Sequence, residues 1–261
     1  LLPNLTLKYL ENIMKKLLFR TAFLPLILVG CSTYAFAGED VSVSVSVDYV
    51  SEYVFRGVSY ARGAIQPGLE VGTGGFTAGV WASLPTGDFK NIAGDEVDLY
   101  AGYSWDVSDT VSADVGATVY HFPDATGGLF DFGGASTFEV YGGLGFDTAL
   151  SPSLYGYYDF DLEAFTIEGG VSHSYELAEK TSLDLGLTAG LVTADGGGDY
   201  QYGVASASVG YGFSDDVSAY VGANYSLSSE DTLRFKIDGV GNAFTADDNL
   251  FWVGIGFAAG Y

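Results

Sequence analysis

Three kinds of residue in this 261-residue chain could do chemistry. Acids come in close pairs, Glu96 with Asp98 and Asp159 with Asp161, a spacing at which one carboxyl can hold a proton while its neighbour takes one. Two histidines, His121 and His173, are candidates for a nucleophilic dyad, which needs a serine hydroxyl within hydrogen-bond reach on the same face. The acidic glycine loop Asp195-Gly196-Gly197-Gly198-Asp199 and the pair Asp247-Asp248 offer hard oxygen ligands of the kind Ca²⁺ prefers. Each has a plainer explanation. In an extended chain His173 shares its face with Val171 and Tyr175, while Ser172 and Ser174 point the other way, and His121 shares its face with Val119 and Pro123. Neither strand supplies a local dyad, which leaves only a serine on a neighbouring strand. The acidic turns lack the regular ligand spacing of a calcium loop, and solvated turns account for them.

Composition narrows the classes further. The 33 acids against 10 bases give a net charge of −23, which excludes nucleic acid as a partner because phosphate binding needs a basic face. One cysteine and two histidines leave no material for an internal disulfide or a zinc site, and no motif calls for a cofactor. The 19 Tyr, 18 Phe and 3 Trp are far more than a disordered chain carries.

The elements that must carry these residues are strands. Apolar and polar residues alternate with period two almost from end to end. In the segment 41–56 the odd positions run Val41, Val43, Val45, Val47, Tyr49, Ser51, Tyr53, Phe55, and the even positions are mostly polar with Asp48, Glu52 and Arg56. Similar segments follow at 64–73, 75–84, 95–105, 110–121, 137–146, 153–161, 164–175, 181–192, 201–212, 216–227 and 250–261, twelve in all. Charges fall on the non-apolar face in strand after strand. A soluble sandwich would bury the apolar face, whereas a membrane barrel turns it to lipid and keeps the acids inside.

Three features favour the barrel. Connections after the even-numbered strands are short, while most of the others are long, with 85–94, 122–136, 193–200 and 228–249 the clearest. Four short turns are entered from an aromatic (Trp105, Phe146, Tyr175, Phe213) and left toward a glycine-bearing strand, which marks one aromatic girdle. The chain ends on an alternating strand closing at Tyr261, the form of a carboxy-terminal barrel signal. The segment 231–240 also alternates. Counted as spanning it would give an odd number of strands, so it is expected as a β extension inside the last long loop.

Residues 14–37 have the basic start, apolar core and Ala35-Phe36-Ala37 exit of a secretory signal peptide, with 1–13 as an upstream extension and 38–261 as the barrel. Leu28-Val29-Gly30-Cys31 also matches a lipobox, which would acylate Cys31 instead. Cleavage after Ala37 removes Glu11, Lys8, Lys15, Lys16 and Arg20, which takes the net charge from −23 to −26.

The segments SVDYVSEYVFRGVSY (46–60), AIQPGLEV (64–71), GFTAGVWAS (75–83), EVDLYAGYSWDVSDTVSADVGATVYHFP (96–123) and TFEVYGGLGFD (137–147) resemble the TorF-family porins of Gram-negative outer membranes, also known by the domain label Gcw_chp. The resemblance implies an outer-membrane barrel with a porin-like role and no catalytic residues. The chain departs from that family at Leu84-Pro85-Thr86 and across 228–249, both loop regions.

Together these give an expectation: an all-β, antiparallel up-and-down transmembrane barrel of twelve strands in the outer membrane, not an enzyme, forming a narrow passive pore for small solutes. Its lumen is expected to be lined by Asp48, Glu52, Arg56, Glu70, Glu96, Asp98, Asp114, Glu139, Asp159, Glu168 and Asp184, an acidic set that favours cations. The rival expectation is a closed barrel acting as an adhesin or structural protein through its loops, and a lipid-modifying enzyme comes third. Expected partners are outer-membrane lipid and lipopolysaccharide, and the barrel-assembly machinery through the strand ending at Tyr261.

Overall fold

The computed structural model describes residues 41–87, 94–238 and 243–261. The upstream extension, the signal peptide and Cys31 lie outside the described residues. In chain order the strands are β1 (Ser42–Val50), β2 (Tyr53–Phe55), β3 (Val58–Ala61), β4 (Ala64–Thr73), β5 (Phe76–Pro85), β6 (Glu96–Ser108), β7 (Val111–His121) and β8 (Ser136–Phe146). Then come β9 (Ser153–Asp159), β10 (Ala164–Ala178), β11 (Thr181–Ala194), β12 (Tyr200–Gly212), β13 (Val217–Ser228), β14 (Leu233–Ile237), β15 (Ala243–Asp247) and β16 (Asn249–Gly260).

Twelve of these close a ring in the order β1-β16-β13-β12-β11-β10-β9-β8-β7-β6-β5-β4, every neighbour antiparallel. The first and last strands seal it, with Ser44 opposite Gly260 and Val50 opposite Gly254. Closure matters because each unsatisfied backbone group in hydrocarbon costs several kcal/mol, and a ring has no edge.

Alternation sets the two faces. On β1 the outward residues Val43, Val45, Val47 and Tyr49 are exposed, and the register carries the same parity from strand to strand. Read around the whole ring, no outward position of the twelve barrel strands carries Asp, Glu, Lys or Arg. The short connections gather at one end of the barrel and the long ones at the other. At the short-turn end Phe76, Tyr103, Trp105, Tyr175, Tyr211 and Phe213 stand exposed on the outer wall, with Phe76 against Tyr103 at 4.5 Å and Tyr211 against Phe213 at 5.1 Å.

One expected strand is broken. The segment 41–56 does not run straight through: β1 stops at Val50, and the chain folds inward as the β2–β3 hairpin before β4 begins. Its tip is a two-residue turn in which Arg56 (φ 43°) and Gly57 (φ 77°) both take positive φ, the geometry that suits the twist of a tight hairpin. The alternation of Tyr53 and Phe55 continues that of β1, which is why the pattern hid the break. The hairpin is buried on both faces, however, with Tyr53, Val54, Phe55, Val58 and Ala61 all below 8 % exposure. Its side chains pack on Val50, Trp81, Tyr120, Leu250 and Trp252 from the inner wall. Burying each large side chain contributes about 1.5–3 kcal/mol before chain entropy is charged.

The segment 231–240 contributes β14, which pairs with β15 in a separate two-stranded sheet inside the last long connection. Leu233 and Phe235 of β14 are fully buried against the inward hairpin. Ser59 N donates to the Thr232 carbonyl at 2.9 Å, Phe235 N to Ser59 Oγ at 3.3 Å, and Thr232 Oγ1 to the Gly57 carbonyl at 2.5 Å. Two hairpins are therefore stacked at the long-loop end.

Candidate functional site

The site is the inside of the barrel, and its two ends differ in chemistry. Toward the short turns the inner wall carries Ser44, Ser112, Ser153, Ser182 and Ser218, all half-buried or exposed, among glycines such as Gly72 and Gly145. Toward the long loops it carries Glu96, Asp98, Tyr120, Glu139, Tyr157, Asp159 and Tyr200, all buried beneath the inward hairpin.

Nine of the eleven candidate lumen residues stand on inward positions of barrel strands: Asp48, Glu70, Glu96, Asp98, Asp114, Glu139, Asp159, Glu168 and Asp184. Glu52 and Arg56 do not stand on the wall; they ride on the inward-folded chain between β1 and β4, because the strand carrying them breaks at Val50. Glu52 lies 3.4 Å from Arg62 Nε and accepts from Ser59 Oγ at 3.4 Å. Burial pushes its carboxyl up to about 7, an effect that Arg62 only partly offsets.

Arg56 reaches across the lumen to β8. Its Nη1 donates to Glu139 Oε2 at 2.7 Å and its Nη2 to Oε1 at 3.1 Å, with both side chains almost fully buried. The guanidinium also lies over the Tyr157 ring at 3.9 Å, and Tyr120 OH donates to Glu139 Oε1 at 3.1 Å. A bidentate, desolvated pair of this kind fixes geometry as well as charge.

Four other acids share one construction. Tyr100 OH donates to Glu70 at 3.0 Å, Tyr155 OH to Asp114 at 2.6 Å, Tyr202 OH to Glu168 at 2.5 Å and Tyr220 OH to Asp48 at 2.8 Å. In each case a glycine sits between the partners on the middle strand: Gly79, Gly143, Gly190 and Gly256, in register with both. A Cβ at any of the four would overlap the tyrosine ring lying across it. The phenol thus crosses a bare strand to cap a carboxylate two strands away. The signal is present in the sequence, since these tyrosines occupy inward parity, but parity alone does not pair a tyrosine with an acid two strands away.

The enzymatic candidates resolve differently. His121 Nδ1 does meet a serine, Ser136 Oγ on β8, at 2.9 Å, a cross-strand contact that no single-strand pattern displays. Ser136 is fully buried, and its hydroxyl donates to the Leu129 carbonyl at 2.8 Å, so the imidazole donates to the serine rather than drawing its proton. His173 Nδ1 bonds the Ala149 carbonyl at 2.5 Å at the short-turn end. Asp161 Oδ2 accepts from Phe138 N at 2.9 Å, and Asp159 Oδ1 from Asp161 N and Leu162 N, so that acid pair braces the β9–β10 turn. Glu96 and Asp98 lie side by side under Tyr53, which approaches Glu96 Oε1 at 3.5 Å.

The calcium candidates are engaged locally. Asp199 Oδ1 accepts from Ala194 N at 3.0 Å across its own loop. Asp247 pairs with Arg234 and with Lys236, and Lys236 in particular holds its carboxyl below the ordinary value. Among the described residues no three or more His, Cys, Asp or Glu side chains gather as a metal site.

A closed, twelve-stranded antiparallel barrel with an uncharged outer wall and an acidic inner one defines the class: the membrane β-barrels. Residues 35–157, just under half of the chain, match the family described as "Bacterial protein of unknown function (Gcw_chp)". No curated protein sequence matches the chain. Among solved structures, the KdgM porin aligns with a TM-score of 0.50 at 10% identity, covering 84% of this chain and 98% of that one. The NanC porin aligns with a TM-score of 0.52 at 13% identity, covering 83% and 98%. A second KdgM structure, solved in complex with disordered oligogalacturonate, gives 0.51 at 10% identity over 84% and 98%. The fold is therefore that of outer-membrane porins, matched over nearly their whole length.

Proposed function

We propose that this protein is an outer-membrane channel for small solutes, narrow and selective against anions, and that it is a TorF-type porin throughout its length rather than over residues 35–157 alone. The observation that carries the proposal is the segregation of charge: acids on inward positions of the barrel strands, none on outward ones. A bilayer-spanning barrel needs that arrangement, and a negative lumen concentrates cations. The porin fold shared with KdgM and NanC supports the channel role.

Solute class is argued from charge. The KdgM structure's oligogalacturonate is a polyanion, and a polyanion entering this lumen would meet Asp48, Glu70, Asp114 and Glu168 while the guanidinium of Arg56 is committed to Glu139. Repulsion makes acidic oligosaccharides the wrong cargo here and leaves cations and neutral solutes.

Purified protein in a planar bilayer under a salt gradient tests this. A cation-directed reversal potential is expected. An anion-directed one defeats the selectivity argument, and a complete absence of current, in the hairpin-deleted protein as well, defeats the channel. One observation favours a second reading, a closed barrel with a structural or adhesive role: the two stacked hairpins fill the long-loop end. Current that appears only after hairpin removal, and never in the intact protein under any pH or voltage, selects that reading.

A further inference from the structure

The seat that Arg56 fills is more elaborate than an ion pair requires. Glu139 grips the guanidinium with both oxygens, Tyr120 steadies Oε1 from the side, and the Tyr157 ring lies under the cation at 3.9 Å. A carboxylate facing a planar cation over an aromatic face is a recognition geometry for guanidinium and ammonium groups in general. All three wall residues belong to rigid barrel strands, β7, β8 and β9, whereas the occupant sits at the tip of a hairpin.

The seat also holds negative capacity that Arg56 does not use. Beside the guanidinium is a cavity of about 20 Å³ walled by Glu139, Asp159, Thr166 and Tyr200, among others. Asp159 is 1% exposed; its Oδ1 accepts two backbone N–H groups, whereas its Oδ2 has only the poorly aligned Thr137 hydroxyl beside it. A buried carboxylate oxygen with so weak a partner costs free energy unless something cationic or protic reaches it. A plain structural latch would need Glu139 and no more.

We propose that Glu139, Tyr157 and Asp159 form a binding site for a small organic cation, a guanidinium or primary ammonium group on a slender stem, and that Arg56 occupies it as a tethered surrogate. The chemistry of the seat stands by itself; its use as a waypoint for solute rests on the channel reading. Withdrawal of the hairpin vacates the site, and an external cation competes with Arg56 for it. A tethered group competes at an effective concentration of about millimolar, so free ligand binds weakly to the intact protein and more readily once the tether is removed.

The test is chemical rescue with methylguanidinium, read as thermal stability of the folded barrel in detergent. Arg56→Ala is expected to melt below the intact protein, and millimolar methylguanidinium is expected to raise its midpoint where equal sodium chloride does not. Adding Glu139→Gln to Arg56→Ala is expected to abolish the rise. Should Arg56→Ala fail to fold, Arg56→Met keeps an uncharged stem of similar length and serves as the second background. A rise that sodium chloride reproduces, a rise that survives Glu139→Gln, or no rise in either background overturns the site. Conductance is measured separately on the intact and the hairpin-deleted protein: rescue with no current from either sinks the channel and keeps the site, whereas current without rescue does the reverse.

Discussion

The two halves of the lumen are built to opposite rules. Near the short turns the wall is serine and glycine, its side chains are open to solvent, and its acids bond within the wall: Glu70 and Asp114 are each capped by a phenol crossing a glycine, Asp184 by the Ser182 hydroxyl. Near the long loops the wall is tyrosine, tryptophan and acid, fully buried, and its charges depend on a hairpin from another part of the chain. The contrast teaches where stability and closure are stored. The open half finds its partners on neighbouring strands of the wall, whereas the closed half takes them from the docked hairpin.

The sharpest way to break this comparison is to remove the hairpin. Val50 and Ala64 are already paired across β1 and β4, so replacing residues 52–61 with a tight turn leaves the ring intact. Unitary currents are expected to be larger, and closures rarer, than in the intact protein, and an unchanged trace would mean that closure lies elsewhere. Next in size is Glu139→Ala, which strands the Arg56 guanidinium and the Tyr120 hydroxyl in a buried site. A loss of about 3–5 kcal/mol in denaturant unfolding is expected, as for other broken buried pairs. Ser112→Ala, an exposed wall position in the open half, should stay within about 0.5 kcal/mol by the same measurement.

Gly143→Ala tests the capped acids. Its Cβ would overlap the Tyr155 ring, so overpacking should cost about 1–3 kcal/mol, whereas Gly128→Ala, with nothing near it, serves as the unaffected control. The smallest effect concerns pH. Glu52 is raised from 4.5 to about 7 by burial, so the docked hairpin holds a proton that the released one gives up between those values. Docking therefore weakens as pH rises from about 4.5 to about 7 and is flat above. The hydrogen-exchange protection of residues 53–61, corrected for the intrinsic rise of amide exchange with pH, should fall over that window in the intact protein and stay level in Glu52→Gln.

What the sequence could and could not disclose follows from the range of each interaction. Period-two alternation is local, so the twelve barrel strands and their inward acids were legible, with the strand starting near Ala64 placed to the residue. The break at Val50 was not, because Tyr53 and Phe55 keep the parity of β1 while facing the inside of the barrel; only the Arg56-Gly57 turn marked it. Partners were less legible still. Arg56 and Glu139 lie 83 positions apart and His121 and Ser136 lie on different strands, pairings that depend on register and on a fold-back. The tyrosine caps were half-visible: inward parity was readable at Tyr100, Tyr155, Tyr202 and Tyr220, but the glycine between cap and acid becomes meaningful only once three strands are aligned.

Those four caps divide the ring without remainder. Each joins three adjacent strands, β4-β5-β6, β7-β8-β9, β10-β11-β12 and β13-β16-β1, and no barrel strand belongs to two of them. Three of the triplets are continuous in the chain and can clasp as soon as their own strands exist. The fourth joins Asp48 to Tyr220 over Gly256, residues 172 positions apart, and needs the last strand in place beside the first. Biogenesis of this barrel thus has a built-in final clasp, one whose phenol and carboxylate meet only at the moment the nascent sheet becomes a cylinder.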